Sequence, residues 1–178
     1  MKRDFLPLRI AVYTMSDTRT DDNDTSGAYL AKAVQDAGHL LIEKKIVRED
    51  LNAIVAALEA IVDSEKVDVV ICTGGTGLTG RDQTPEAFEA LIEKWIPGFG
   101  ELFRWLSFQK IGLSTIQSRA TAGMRKGVLL FALPGSTGAC KDAWNDILLK
   151  QLDVRTKPCN FAEILPRLKE SPYARRKG

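Results

Sequence analysis

Residues 67–87, VDVVICTGGTGLTGRDQTPEA, pass from a nearly unbroken apolar stretch into a glycine-rich segment and restart at Pro85. The opening seven residues predict a central strand, because an apolar run without alternation suits a strand covered on both faces. Pro85 fits the first turn of a helix, with Thr84 as its N-cap and Glu86 near the positive end of the dipole. Strand, glycine loop and helix in that order form one unit of a parallel sheet.

The pattern repeats on either side. Upstream, 8–15 (LRIAVYTM) and 40–47 predict strands, 16–25 (SDTRTDDNDT) an acidic loop, and 26–37 a helix stopped by Gly38. Asp50 is placed to cap a helix whose Ile54, Leu58, Ile61 and Val62 share one face. Downstream, 99–108 predict a helix, 111–126 irregular or weakly helical chain, and 128–133 (VLLFAL) a fourth strand ended by Pro134-Gly135-Ser136. Cys140, Ala143, Trp144, Ile147 and Leu148 mark a closing helix. The expected fold is an α/β three-layer sandwich, a mostly parallel sheet covered by helices on both faces. The 178 residues read as a single domain over 1–165, followed by a basic tail, 166–178, expected to be a flexible, solvated end.

Composition narrows the function classes. Apolar residues at 44% and charged residues at 27% exclude collagenous, coiled-coil and disordered chains. Twenty-five Lys and Arg against 23 Asp and Glu leave a formal +2, so no nucleic-acid partner is expected. No run approaches the length of a membrane span, and MKRDFLPLRI lacks the apolar core of a signal peptide. The widely spaced Cys72, Cys140 and Cys159 offer neither a disulfide framework nor a CxxC zinc site. A reducing, cytoplasmic setting follows as the expectation. His39, the single histidine, sits after Gly38 at a helix stop, which predicts a structural role.

Ligands of an open parallel sheet sit beyond the carboxyl ends of its strands. The residues expected there are Ser16 and Asp17, then Glu49 and Asp50, then the glycine loop with Asp82, then Pro134-Gly135-Ser136. Gly75, Gly77 and Gly80 formally match GxGxxG, but Arg81 to Thr84 intervene before the helix. A P-loop is excluded as well, since Arg81-Asp82 stands where Lys and Ser or Thr are required. What remains is that glycines let amides converge on a phosphate or other anion, with Thr73, Thr76 and Thr79 as hydroxyl donors, a plain glycine-rich turn being the alternative. Asp82 opposes an anion unless Mg²⁺ lies between them; its other readings are a helix N-terminal acid or a partner for Arg81. The Pro-Gly-Ser turn is a second anion candidate, with Ser136 alternatively a simple N-cap. Trp95, Phe99, Phe103, Trp105 and Phe108 are more than one helix face easily buries, so part of 95–108 is expected to cover a subunit interface, with burial of the whole set in the core as the alternative.

With these residues in place, the chain resembles the MoaB/MogA family of molybdenum cofactor biosynthesis proteins over nearly its whole length. The resemblance rests on SDTRTDDNDTSG (16–27), TGGTGLTGRDQTPEA (73–87), SRATAG (118–123) and LPGSTGAC (133–140), in that order. It implies an α/β sandwich assembling as homotrimers, or as hexamers built from trimers. It further implies a partner in molybdopterin, a pterin dithiolene with a phosphate monoester, which active members adenylylate with MgATP, releasing pyrophosphate. By resemblance, Thr73, Gly74, Gly75, Thr76, Gly77, Asp82, Ser118, Pro134, Gly135 and Ser136 fall on ligand-site positions. Asp82 and Glu49 are the implied catalytic pair, and Asp82, Glu49 and Asp50 the implied Mg²⁺ ligands.

The chain departs from the family at one place. Active members carry Asp at the end of strand two, where this chain has Glu49 within Val47-Arg48-Glu49-Asp50. Three functions stand beside one another: a molybdopterin adenylyltransferase (a nucleotidyltransferase), a non-catalytic molybdopterin-binding or carrier protein, and an unrelated nucleotide or phosphosugar enzyme on a similar sheet. Adenylyl transfer needs no histidine, because a phosphate monoester with its second pKa near ~6 is already a dianionic nucleophile at neutral pH. Arg119 offers either a forked cationic contact or a structural ion pair.

Overall fold

The structure, a computed structural model, describes residues 3–170. Six strands form one sheet in the order β2-β1-β3-β6-β5-β4: β1 Arg9–Met15, β2 Leu40–Val47, β3 Val69–Thr73, β4 Lys94–Trp95, β5 Thr121–Arg125 and β6 Val128–Leu133. The four strands read from the sequence, β1, β2, β3 and β6, pair in parallel. β5 and β4 extend the sheet antiparallel beyond β6; β5 lies in the stretch 111–126 expected to be irregular or weakly helical, and β4 in the short segment between the two predicted helices. β5 escaped recognition because its sequence, TAGMR, carries Ala and Gly where β-branched residues are usual. Gly123 is needed there because Ile92 packs on it, and a Cβ would stand 2.4 Å from Ile92 Cγ2.

Alternation along the strands divides the core in two. Ile10, Val12, Val69, Ile71, Leu129 and Phe131 face α1 (Thr25–Asp36), α4 (Pro97–Ile111) and the closing helix, whose first turns are α5 (Thr137–Asp142). Ala11, Tyr13, Val70, Cys72 and Leu130 face α2 (Leu51–Asp63) and α3 (Thr84–Leu91). A fully buried Val, Leu, Ile or Phe contributes roughly 1.5–3 kcal/mol, so this two-sided burial explains why β3 and β6 read as unbroken apolar runs.

Two of the helix starts are capped by aspartates. Asp24 Oδ1 accepts from Gly27 N at 2.9 Å to cap α1, and Asp50 Oδ1 accepts from Ala53 N at 3.0 Å to cap α2. α3 differs: Thr84 is its first residue, Gln83 precedes it without a side-chain cap, and the Thr84 hydroxyl points the other way, to Gly74 O at 2.8 Å. The closing helix contains a π segment, Ala143–Leu148. His39 is buried, its Nδ1 accepting from Leu8 N at 3.1 Å, and burial lowers its pKa; its role is structural. Of the basic tail, Leu168 packs against the core and Lys169 covers Gly127, while 171–178 lie outside the described residues. Among the described residues no helix is long and apolar enough to cross a membrane.

Candidate functional site

The strand order reverses direction between β1 and β3, and a crevice at the carboxyl ends follows from that switch. A cleft of about 410 Å³ opens beside it, between the β3 loop, the β6 turn, α4 and the 3-10 turn Gly112–Gln117. Gly75, Thr76, Gly77, Asp82, Ser118, Pro134, Gly135 and Ser136 all line it. Eight of the residues singled out in the sequence thus line one cleft.

Backbone conformation explains the glycines. Gly74 has φ +102° and Gly75 φ +65°, values that L side chains rarely adopt. A Cβ on Gly74 would lie 2.3 Å from Met15 O, and one on Gly135 would lie 3.3 Å from Gly74 Cα. The β3 loop and the β6 turn are therefore packed backbone to backbone. Their carbonyls are held from behind: Gly75 O accepts from Thr84 N, Thr76 O from Arg119 N, and Gly77 O from Arg119 Nε at 2.7 Å. The amides of Gly75, Thr76, Gly135 and Ser136 have no acceptor among the described residues.

Arg119 is the structural ion pair of its two readings. Its guanidinium holds Glu86 Oε1 at 2.5 Å and Asp82 O at 3.0 Å besides Gly77 O. Arg81 pairs with Asp17, not with Asp82. Asp82 Oδ2 instead accepts from Thr79 N at 2.8 Å and Thr79 Oγ1 at 2.6 Å. Burial pushes the Asp82 carboxyl up, but these bonds, a third from the Gly77 amide and the charge of Arg119 hold it below the usual range.

The carboxylates collect at the outer lip. Glu49 N donates to Asp17 Oδ1 at 3.0 Å, and Glu49 Oε1 stands 3.0 Å from where a Cβ on Gly75 would be. Burial raises the Glu49 pKa, the charges of Asp82 and Asp17 raise it further, and Arg81 opposes them. A cation between Glu49 and Asp82 would relieve that repulsion, and two carboxylates completed by phosphate oxygens and water suit Mg²⁺. Among the described residues no group of three or more His, Cys, Asp or Glu is assembled as a metal site.

Four of the expected site residues stand off the cleft lining. Asp50 caps α2 with Arg48 3.6 Å away, and Glu49 sits beside Gly75 at the lip. Thr73 and Gly74 lie behind the wall, Thr73 Oγ1 donating to Pro134 O at 2.9 Å. Ser136 both lines the cleft and caps α5, accepting from Ala139 N at 3.2 Å.

The opposite wall escaped the sequence reading. Phe103, Ser107 and Ile111 of α4 line it with Ser114, Thr115 and Gln117. One signal was available: Phe99, Phe103 and Ser107 recur at i, i+4 and i+8, placing a serine on the buried stripe. The outer face of α4 and the following turn leave Trp105 60%, Phe108 52%, Leu113 79% and Ile116 81% exposed.

Comparison with known proteins agrees with the fold and the motifs. A family profile described as "Probable molybdopterin binding domain" matches residues 11–154. Molybdenum cofactor biosynthesis protein B of Escherichia coli K12 is 52% identical over 158 residues, which cover 89% of this chain and 93% of that one. A crystal structure of molybdenum cofactor biosynthesis protein B superposes with a TM-score of 0.84 at 40% identity, covering 93% of this chain and 98% of the other. The tungsten cofactor synthesizing protein MoaB from Pyrococcus furiosus gives 0.76 at 32% identity, covering 92% and 98%.

Proposed function

The chain belongs to this molybdopterin-binding family of molybdenum cofactor biosynthesis, and from that premise we propose that it transfers the adenylyl group of MgATP to the phosphate of molybdopterin. The observation that carries the proposal is that Gly75, Thr76, Gly135 and Ser136, whose amides have no acceptor among the described residues, all line a single cleft. Amides without acceptors that converge on one space suit a phosphate. Phe103 and Ile111 on the far wall suit the flat pterin.

In this reading a phosphate oxygen of molybdopterin attacks the α-phosphorus of ATP. The bond from that phosphorus to the bridging oxygen breaks, and pyrophosphate leaves. The attacking group is already dianionic, so the chain supplies alignment and charge neutralisation and removes no proton. Positive charge to offset that of the phosphates would come from Mg²⁺. Asp82 and Glu49 would hold it, while Asp50, committed to the α2 cap, is the weaker candidate. The exposed face around Trp105 and Phe108 fits a homotrimer or hexamer, and light scattering at micromolar concentration should give a mass at least three times that of one chain.

A second reading, binding without turnover, draws support from Asp82, whose carboxylate is already occupied by the Thr79 hydroxyl and amide. Purified protein with molybdopterin, ATP and Mg²⁺ separates the two. Pyrophosphate release supports transfer; bound pterin without pyrophosphate at any protein concentration supports a carrier; no bound pterin rejects both. Glu49→Asp restores the family's shorter carboxylate, and faster release in that variant would show a site retained but detuned.

A further inference from the structure

Three buried hydroxyls lie behind the cleft wall and do not face its interior. Thr73 and Thr84 are 0% exposed and Ser26 is 4% exposed. Each donates to a carbonyl of one of the two loops. Thr84 Oγ1 reaches Gly74 O at 2.8 Å, Thr73 Oγ1 reaches Pro134 O at 2.9 Å, and Ser26 Oγ reaches Gly135 O at 2.8 Å. In a planar trans peptide the C=O of one residue and the N–H of the next point in opposite directions. A hydroxyl that draws a carbonyl backwards therefore turns the following amide forwards. The three amides so turned belong to Gly75, Gly135 and Ser136, which line the cleft and have no acceptor among the described residues.

We infer that Ser26, Thr73 and Thr84 are positioning residues that aim the Gly75, Gly135 and Ser136 amides at a phosphate group in the cleft. The inference rests on the phosphate-binding reading above. It assigns Thr73 a task other than ligand contact, and it explains the failed N-cap at Thr84, whose hydroxyl is already committed to Gly74 O. It also gives Ser26 of α1, outside both loops, a part in recognition. The backbone amide of Thr84 adds a second hold at Gly75 O, 3.1 Å away, which presents the Thr76 amide in the same way.

Thr84→Val keeps the volume and that backbone bond while removing the hydroxyl, and Thr84→Ser restores the hydroxyl. Two ligands serve as probes, the oxidised phosphorylated pterin and the same pterin after phosphatase treatment. The expected result is that Thr84→Val weakens the phosphorylated probe by about 10-fold or more, as for loss of a hydrogen bond to a charged group. Affinity for the dephosphorylated probe should stay within about 2-fold, and Thr84→Ser should match wild type on both. Equal losses on both probes would reduce the hydroxyl to a fold-stabilising group and overturn the inference, as would no loss on either. Ser26→Ala and Thr73→Val carry the same test should Thr84→Val not fold. If wild type binds neither pterin, the functional reading fails on its own, and inorganic pyrophosphate then tests the amides. Its addition should move the Gly75 and Gly135 amide resonances in wild type and not in Thr84→Val. Unmoved resonances in wild type would overturn the inference.

Discussion

The same parallel strands end in two different ways. At the amino end of β1 and β3, Arg9 donates from N and Nη2 to Asp68 at 2.8 and 2.7 Å, and from Nη1 to Glu65 O at 2.9 Å. Leu8 N and His39 Nδ1 close on each other beside them. Opposite charges meet and the amides there have acceptors. At the carboxyl end, two consecutive glycines hold positive φ, the amides of Gly75, Thr76, Gly135 and Ser136 have no acceptor among the described residues, and the charges of Asp82 and Asp17 both bear on Glu49. Polar groups left without partners cost stability unless a ligand supplies them. One end of the sheet therefore holds the fold, and the other keeps its unsatisfied groups for a ligand.

The largest effect should come from closing the carboxyl end sterically. Gly75→Val would place a Cβ 2.5 Å from Thr84 Oγ1 at φ +65°, and should lower unfolding free energy by about 3 kcal/mol and abolish pterin binding. Chemical denaturation and fluorescence titration of one sample read both losses. Next comes charge without shape: Asp82→Asn keeps an acceptor for Thr79 but removes the anion, so pyrophosphate release should fall about 100-fold with Tm and pterin affinity nearly unchanged. Unchanged release would remove Asp82 from the chemistry.

The amino end should behave in the opposite manner. Asp68→Asn should cost about 1–2 kcal/mol, because Asp68 is mostly buried while Arg9 is partly in water, and pterin affinity should not move. Burial pushes the Asp68 carboxyl up, but the hydrogen bonds and charge of Arg9 outweigh burial and leave it below the usual carboxylate range. A depressed folded pKa means stability that is fully present above the unfolded value near ~4 and is lost as pH falls through the folded value. Asp68→Asn should therefore flatten the acid limb of a Tm-against-pH curve below about pH 4. The smallest effect belongs to Gly80→Ala, in the same loop as Gly75 but with nothing within 4 Å of its Cβ, which should change stability by less than about 1 kcal/mol. A large loss there would mean that the whole loop is strained.

Legibility in the sequence follows the same division. β2 and β6 have the bounds their patterns predict, because burial and alternation are local signals. The clustering of the glycine loop, Asp82, Ser118 and the Pro-Gly-Ser turn was readable because loops after parallel strands share one edge. The direction of a side chain was not readable. Thr84 looked like a cap and Thr73 like a contact, and only the positions of Gly74 O and Pro134 O decide that both turn inward. Asp50 has the composition of a metal ligand and the geometry of a cap. The α4 wall stayed hidden because Phe103 and Ile111 carry no polar signal, and β5 because its Gly123 answers to Ile92.

The antiparallel join of β5 to β6 gives the chain a timetable for folding. That hairpin closes between Arg125 and Val128 and needs little loop entropy, whereas β3 must find β6 across about 50 intervening residues. Local pairings form early and distant ones late. The β3 loop and the β6 turn meet only through the distant pairing, at Gly74 and Gly135, so the ability to hold a ligand arrives with the last large step of folding. A nascent or half-folded chain then exposes hairpin and helices but no cleft, and a ligand is offered a place only on a finished molecule.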